Sequence, residues 1–219
     1  MTEPDGHTRG PGRGARGRAM TSEEWDRRYA TPDLIWSEEP NRFLRAEAGA
    51  LSPGRALDLA CGEGRNAVWL ARRGWEVTAV DFSDTALAKA RRLAAEHAVE
   101  VRWVRDDLAV HVPPPAAADL VAIVYLQVPA ALRARVLARA ADALAPGGVL
   151  LVIGHDLENL TRGHGGPRHP AVLMTPEAVA AELPGLVVER AERVTRPVST
   201  PDGEREAIDT LVRASRPAG

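Results

Sequence analysis

Three aspartates and two glycines set the chemistry that the first half of this chain can do. Gly62 and Gly64 stand in "LDLACGEGRNAVWLARRGWEVTAVDFS", after an apolar run and before an amphipathic one. Glycines there let the chain turn sharply and let a ligand approach the backbone, while the following helix offers free N–H groups. Gly62-Glu63-Gly64-Arg65-Asn66-Ala67 fits G-x-G-x-x-G/A, the dinucleotide fingerprint. The same layout also suits S-adenosylmethionine, and a structural tight turn would look alike.

The carboxylates separate these ligands. Asp58 lies inside the first apolar run, four residues before Gly62. A pyrophosphate gains nothing from an acid there, whereas the ammonium of a methionine moiety does. Asp81 ends the second apolar run, where a carboxylate can accept both hydroxyls of a ribose; both ligands share that need. Asp107, in "RDDL", suits the exocyclic amine of adenine. Each acid alone could be a solvated strand end or a helix cap. Three at successive strand ends point to a ligand in the crevice of an open α/β sheet.

The elements that must position them alternate. "RALDLA", "WEVTAVD", "VEVRWVRDDL", "DLVAIVYLQ" and "GVLLVIG" read as strands, and the last three residues of "YLQ" fall at a strand end. Between them lie "RNAVWLARRG", closed by Gly74, "SDTALAKARRLAAEHA", capped by Ser83, and "PAALRARVLARAADALA", ended by Pro146-Gly147-Gly148. Continuous apolar strands alternating with helices imply a mostly parallel sheet with helices on both faces. After Gly154 the rhythm breaks. A Gly/His/Pro-rich loop leads to a helix with Thr175 as N-cap and Pro176 at its first position. Two period-two runs around "TPDG" then read as an antiparallel hairpin. Upstream, two short helices flank "TPDLIWSEEPN", with Ser22 as the N-cap of the first.

Totals narrow the class. The 219 residues are 45% hydrophobic and 26% charged, which suits a folded domain with a sizeable core. A net charge of -2 argues against nucleic acid or an anionic membrane as the main partner. Cys61 is the single cysteine, so no internal disulfide forms and no cysteine cluster holds a metal. No membrane span or secretory signal is expected, and the default location is the cytoplasm. Residues 1–19, with "RGPGRGARGRA", read as a disordered tail, with Met20 as an alternative start. Residues 20–215 are expected to form one domain, with 20–50 as a helical cap.

Asp58-Leu59-Ala60-Cys61-Gly62-Glu63-Gly64 resembles the D-x-G-x-G-x-G motif of class I S-adenosylmethionine-dependent methyltransferases. Ala60 departs from it, standing where the family usually has glycine. The resemblance, over about residues 20–215, implies a Rossmann-like seven-stranded sheet of order 3-2-1-4-5-7-6 with strand 7 antiparallel. "WDRRYA", "LIWSEEPN" and the glycine stretch are similar to the small-molecule branch that includes tellurite-resistance and thiopurine methyltransferases. That likeness implies a cap closing over the cofactor, with Trp36 and Tyr29 near the methyl group. Trp25 is read as a core anchor of the cap.

The resemblance implies S-adenosyl-L-methionine as cofactor and a heteroatom (S, Se/Te, O or N) of a small molecule as acceptor. Expected cofactor residues are Trp36, Asp58, Ala60, Gly62, Gly64, Asn66, Asp81, Phe82, Asp107, Leu108 and Tyr125. Tyr29 and Gln127 are expected on the substrate and His155 as a base or orienting residue, with Asp156 beside it and "NLTRGHGGPRHP" as a lid. "YLQVP" lacks the [DNS]-P-P-[FYW] of DNA amino methyltransferases, which argues against a nucleic-acid acceptor. No metal is expected. An NAD(P)-dependent oxidoreductase and a non-catalytic S-adenosylmethionine-binding protein are the alternatives.

Overall fold

The computed structural model describes residues 20–219; the tail expected at 1–19 lies outside them. Seven strands form one sheet: β1 (Arg55–Leu59), β2 (Glu76–Asp81), β3 (Arg102–Arg105), β4 (Ala118–Val124), β5 (Leu144–His155), β6 (Val187–Thr200) and β7 (Gly203–Ser215). Their order is β3-β2-β1-β4-β5-β7-β6. Pairings from β3 through β5 are parallel, and β7 runs antiparallel to both β5 and β6. The expected order and the reversed strand are both present.

Burial explains the strand sequences. β1 and β4 are buried along nearly their whole length, on both faces. Leu57, Leu59, Val121, Ile123, Leu150 and Val152 build one core layer, and Ala56, Ala79, Leu120 and Leu151 the other. Helices α3 (Arg65–Arg72), α4 (Asp84–Glu96) and α5 (Ala130–Ala143) connect the parallel strands. Ser83 caps α4 by accepting from the Ala86 N–H, and Gly74, at φ +89°, leaves α3 as expected. The hairpin turns at Pro201-Asp202, with Thr200 paired to Gly203.

Several boundaries move. The N-cap of α1 (Ser22–Tyr29) is Thr21, not Ser22, because Thr21 and Glu24 form a reciprocal capping box. Helix α5 stops at Ala143, and Leu144 already belongs to β5, ahead of Pro146-Gly147-Gly148. The third strand is only Arg102–Arg105. Two short 3-10 turns, Leu157–Leu160 and Pro170–Val172, occupy the loop that precedes α6 (Pro176–Ala181), whose Thr175 cap is present.

The N-terminal segment packs over the C-terminal ends of β1 and β2. Helix α1 lies against α4, where Asp26 accepts hydrogen bonds from the Ser83 hydroxyl and the Thr85 N–H. Helix α2 (Arg42–Ala48) is capped by Asn41, whose own N–H donates to Asn66 Oδ1 on α3 at 2.8 Å. Among the described residues no helix is long and apolar enough to cross a membrane.

Candidate active site

A cavity of about 620 Å3 opens where the strand order reverses between β1 and β4, the place where open α/β sheets bind ligands. Its walls come from the cap, the glycine loop and the ends of β2, β4 and β5. Trp36, Tyr29, Ala60, Gly62, Asn66, Asp81, Phe82, Asp107, Tyr125, Gln127 and His155 all line it.

Gly62 adopts φ +55°, and a side chain there would meet the Tyr29 hydroxyl at 3.0 Å. Its N–H donates to Asp81 Oδ2 at 2.8 Å, while Ser83 N–H donates to Oδ1 at 2.9 Å. An ionised carboxylate has about four acceptor sites, so two remain for hydroxyls of a ligand. Burial raises the Asp81 pKa, and the backbone bonds from Ser83 and Gly62 oppose that rise. Asp107, at the same end, is exposed and accepts from the Ala109 N–H.

Three expected residues stand off the cavity wall. Gly64, at φ +82°, serves packing: a Cβ would lie 2.7 Å from Ala90 Cβ and from the Trp103 ring. Leu108 is part of the apolar core. Asp58 is fully buried behind the glycine loop, and its two oxygens have no hydrogen-bond partner. Burial, then the charge of Asp81, raises its pKa to about 7. A buried carboxylate without donors is rare in a native fold and marks a place built to meet a cation or an ordered water. That fits a cofactor bearing an ammonium better than one bearing a pyrophosphate.

Two lining residues carry backbone strain. Ala60 has φ +63° and Tyr125 φ +59°, a left-handed conformation that costs about 1–3 kcal/mol for a non-glycine residue and gathers at functional sites. The alanine that replaces the motif glycine is therefore held in a glycine conformation.

At the other end stands a network missed in the sequence. Asp209 on β7 is fully buried, and its Oδ1 lies 3.2 Å from His155 Nδ1. Its Oδ2 accepts from the Tyr125 hydroxyl at 2.7 Å and from Arg196 Nε at 2.8 Å. The Tyr125 and His155 rings stack with centroids 4.5 Å apart. Burial pushes the Asp209 pKa up, but the bonds from His155, Arg196 and Tyr125 outweigh it and hold it below the usual value. Asp209 is then an acceptor-only carboxylate, so His155 Nδ1 carries a proton and donates it to Asp209.

The neighbouring expectations change. Asp156 does not line the cavity: it accepts from the Glu158 N–H and from Arg193 on one oxygen, and from the Thr210 hydroxyl on the other. The loop at 159–170 contributes no lining residue. Asn159 ties it to β7 by accepting from the Ile208 N–H, and Gly166 abuts the His155 ring instead.

The cap closes the cavity through contacts that spacing did not reveal. Glu63, inside the glycine loop, accepts from the N–H groups of Ile35 and Trp36 at 3.0 and 3.2 Å. Lys89 Nζ reaches Glu63 at 2.9 Å, the Asp33 carbonyl at 2.6 Å and the Thr31 hydroxyl at 3.1 Å. Arg28 lies 5.3 Å from the ring centroids of both Trp25 and Trp36. Trp25 stacks on Tyr29, as an anchor would, yet it also lines the cavity.

Residues 56–148 match a family described as "Methyltransferase domain". That segment is similar to methyltransferase domains. Over 123 residues the chain is 38% identical to the demethylmenaquinone methyltransferase of Thermus thermophilus, covering 55% of itself and 54% of that protein. It is 39% identical over 56 residues to a ribosomal RNA small subunit methyltransferase C of Alcanivorax borkumensis, 26% of this chain and 17% of the other. The chain thus spans about half or less of the curated relatives it matches.

Solved structures share the fold across most of the chain. One from work on converting a disulfide into a thioacetal in echinomycin biosynthesis has a TM-score of 0.71 at 20% identity, covering 90% of this chain and 93% of that one. The N-methyltransferase NodS of Bradyrhizobium japonicum, solved with S-adenosyl-L-homocysteine, scores 0.66 at 20% identity, covering 90% and 98%. TehB of Haemophilus influenzae scores 0.67 at 14%, covering 89% and 66%.

Proposed function

We propose that this chain transfers a methyl group from S-adenosylmethionine to a heteroatom of a small molecule in the cytoplasm, with residues 20–215 acting as one domain. The observation that carries this reading is that one cavity is lined by Asp81, with two acceptor sites free, and by His155, backed by Asp209.

When bound, the cofactor supplies an electrophilic methyl on a sulfonium. The residues of the chain position it and the acceptor. Asp81 accepts the ribose hydroxyls and Asp107 the adenine amine. Ala60, Gly62, Asn66 and Phe82 form the bed beneath, and Trp36 and Tyr29 exclude water from above. Asp58 stands behind the loop as the countercharge for the cationic end. Alignment of this kind is worth roughly 7–11 kcal/mol. His155, with Nδ1–H held by Asp209, takes a proton at Nε2 from an acceptor that arrives protonated, such as a phenol or an ammonium. Gln127 and Tyr125 bound the acceptor. The lack of the DNA-type motif after β4 and the net charge of -2 favour a small molecule over a nucleic acid.

Titrating S-adenosylhomocysteine and NAD separately by calorimetry tests the cofactor. A response to NAD alone would return the oxidoreductase alternative. Release of S-adenosylhomocysteine across a panel of thiols, phenols, amines and tellurite tests turnover. Cofactor binding with no turnover of any panel member would favour the non-catalytic alternative.

A further inference from the structure

The acceptor half of the cavity carries a guanidinium, that of Arg65, which no hydrogen bond or ion pair among the described residues engages. Arg65 is the first residue of α3, directly past the glycine loop, and it lines the cavity. It is half-buried, and among the described residues its guanidinium makes no hydrogen bond or ion pair. β1 and β4 are neighbours in the sheet, so Arg65, following β1, stands across the reversal point from Tyr125, following β4. Arg196 lies 5.6 Å from the centroid of the same Tyr125 ring and also lines the cavity. Burial lowers the Arg65 pKa and the charge of Arg196 adds to this, while Tyr125 and the more distant carboxylates of Asp58 and Glu63 oppose it in part.

The carboxylates nearby are engaged or out of reach. Asp209 already serves His155, Tyr125 and Arg196. Glu63 is paired with Lys89. Asp58 sits behind the loop, and neither of its oxygens reaches a donor, Arg65 included. Asp81 and Asp107 belong to the ribose and adenine end. A bound cofactor worsens the imbalance, because the ammonium and carboxylate of its methionine cancel while its sulfonium remains. A partly desolvated guanidinium is stable only with a counter-anion, and its planar fork suits a carboxylate, sulfonate or phosphate. The lining of the same cavity also includes the apolar residues Leu126, Val128, Leu132 and Pro197.

We propose that the methyl acceptor is an anion with an apolar body, and that Arg65 binds its anionic group while the body lies against Leu126, Val128, Leu132 and Pro197. Arg65 is then a specificity-determining residue. The proposal rests on the methyltransferase reading and names the acceptor class for the same site.

The test is calorimetric and uses the full chain saturated with S-adenosylhomocysteine. Benzoate, benzenesulfonate and phenyl phosphate are titrated in turn, with methyl benzoate as the neutral match. At least one anion binds, and methyl benzoate binds about tenfold more weakly or worse, the lower end for a charge-assisted hydrogen bond. Arg65→Met loses about tenfold or more of anion affinity, Arg65→Lys recovers part of it, and affinity for S-adenosylhomocysteine stays within about twofold. The proposal is overturned if none of the three anions binds, if methyl benzoate matches them, or if Arg65→Met leaves anion binding intact. It is also overturned if the loss falls on S-adenosylhomocysteine, which would give Arg65 to the cofactor's own carboxylate. A wild-type chain that does not bind S-adenosylhomocysteine removes the underlying reading, and this proposal with it. Cofactor binding without anion preference removes this proposal alone.

Discussion

The Glu63 carboxylate and the Lys89 ammonium meet at 2.9 Å in the interior, and each also holds backbone or side-chain groups of the 31–36 loop. The pair thereby fastens the cap to the glycine loop. Removing one partner leaves the other charge buried, which costs about 3–5 kcal/mol, whereas replacing both costs less. Lys89→Met should lower stability by that order in denaturant melts and weaken cofactor binding. Glu63→Gln combined with Lys89→Met should recover part of the stability. Wild-type melting of Lys89→Met would dismiss the fastening role.

Trp36 is 38% exposed, with Arg28 over its ring and its backbone N–H held by Glu63, a bond that an alanine keeps. Trp36→Ala should therefore reduce turnover more than stability, with a loss below about 1 kcal/mol, the scale of an exposed cation–π contact. A large fall in melting temperature with unchanged kcat would make it a packing residue only.

Asp81→Ala removes the acceptor of Gly62 and Ser83 and of the ribose hydroxyls. Binding of S-adenosylhomocysteine should weaken by about 1.5–3 kcal/mol, the range for hydrogen bonds to a charged group. Unchanged affinity by calorimetry would take Asp81 out of the site.

Asp58 gives a pH signature. Its pKa of about 7 lies above the value of an unfolded aspartate. Between the two values the folded protein binds more protons than the unfolded chain, so this residue's contribution to stability falls as pH rises through that window. Asp58→Asn should flatten the decline of melting temperature between about pH 4 and pH 7. A cation placed near Asp58 favours the ionised form, so cofactor affinity should rise towards pH 8 in the wild type and not in Asp58→Asn. Parallel pH dependence of the two proteins would count against both expectations.

Asp209→Asn loses the charge that fixes the proton on His155 Nδ1. For a phenolic or ammonium acceptor kcat should fall by about 10²–10⁴, the usual worth of a general base, while a thiolate acceptor should be affected far less. Equal losses for both acceptor classes would point to a structural role.

The sheet was legible because β1, β2, β4 and β5 are short apolar runs separated by amphipathic helices, a pattern with few other solutions. The cofactor end was legible because Gly62 and Asp81 sit at strand ends, and the structure joins them by a hydrogen bond. The acceptor end was not. Asp209 lies in the middle of a hairpin strand, and its only signal is an acid within the inward apolar run "AIDTLV". Nothing in the sequence around Arg65 or Arg196 sets them apart from the chain's many other arginines. Lys89 is the single lysine, yet nothing in its spacing ties it to Glu63. Contacts between distant segments leave no period, and composition misled at 159–170, where glycines and histidines suggested a lid.

The Glu63–Lys89 fastening also sets an order of assembly. The cap segment is synthesised first, yet the groups that hold it down belong to the glycine loop and to α4, made later. Chain elongation thus leaves residues 20–50 waiting without a surface to settle on. Completion of the cofactor chamber becomes a late event in the maturation of the nascent chain, and a cofactor present at that moment would act as a template for it.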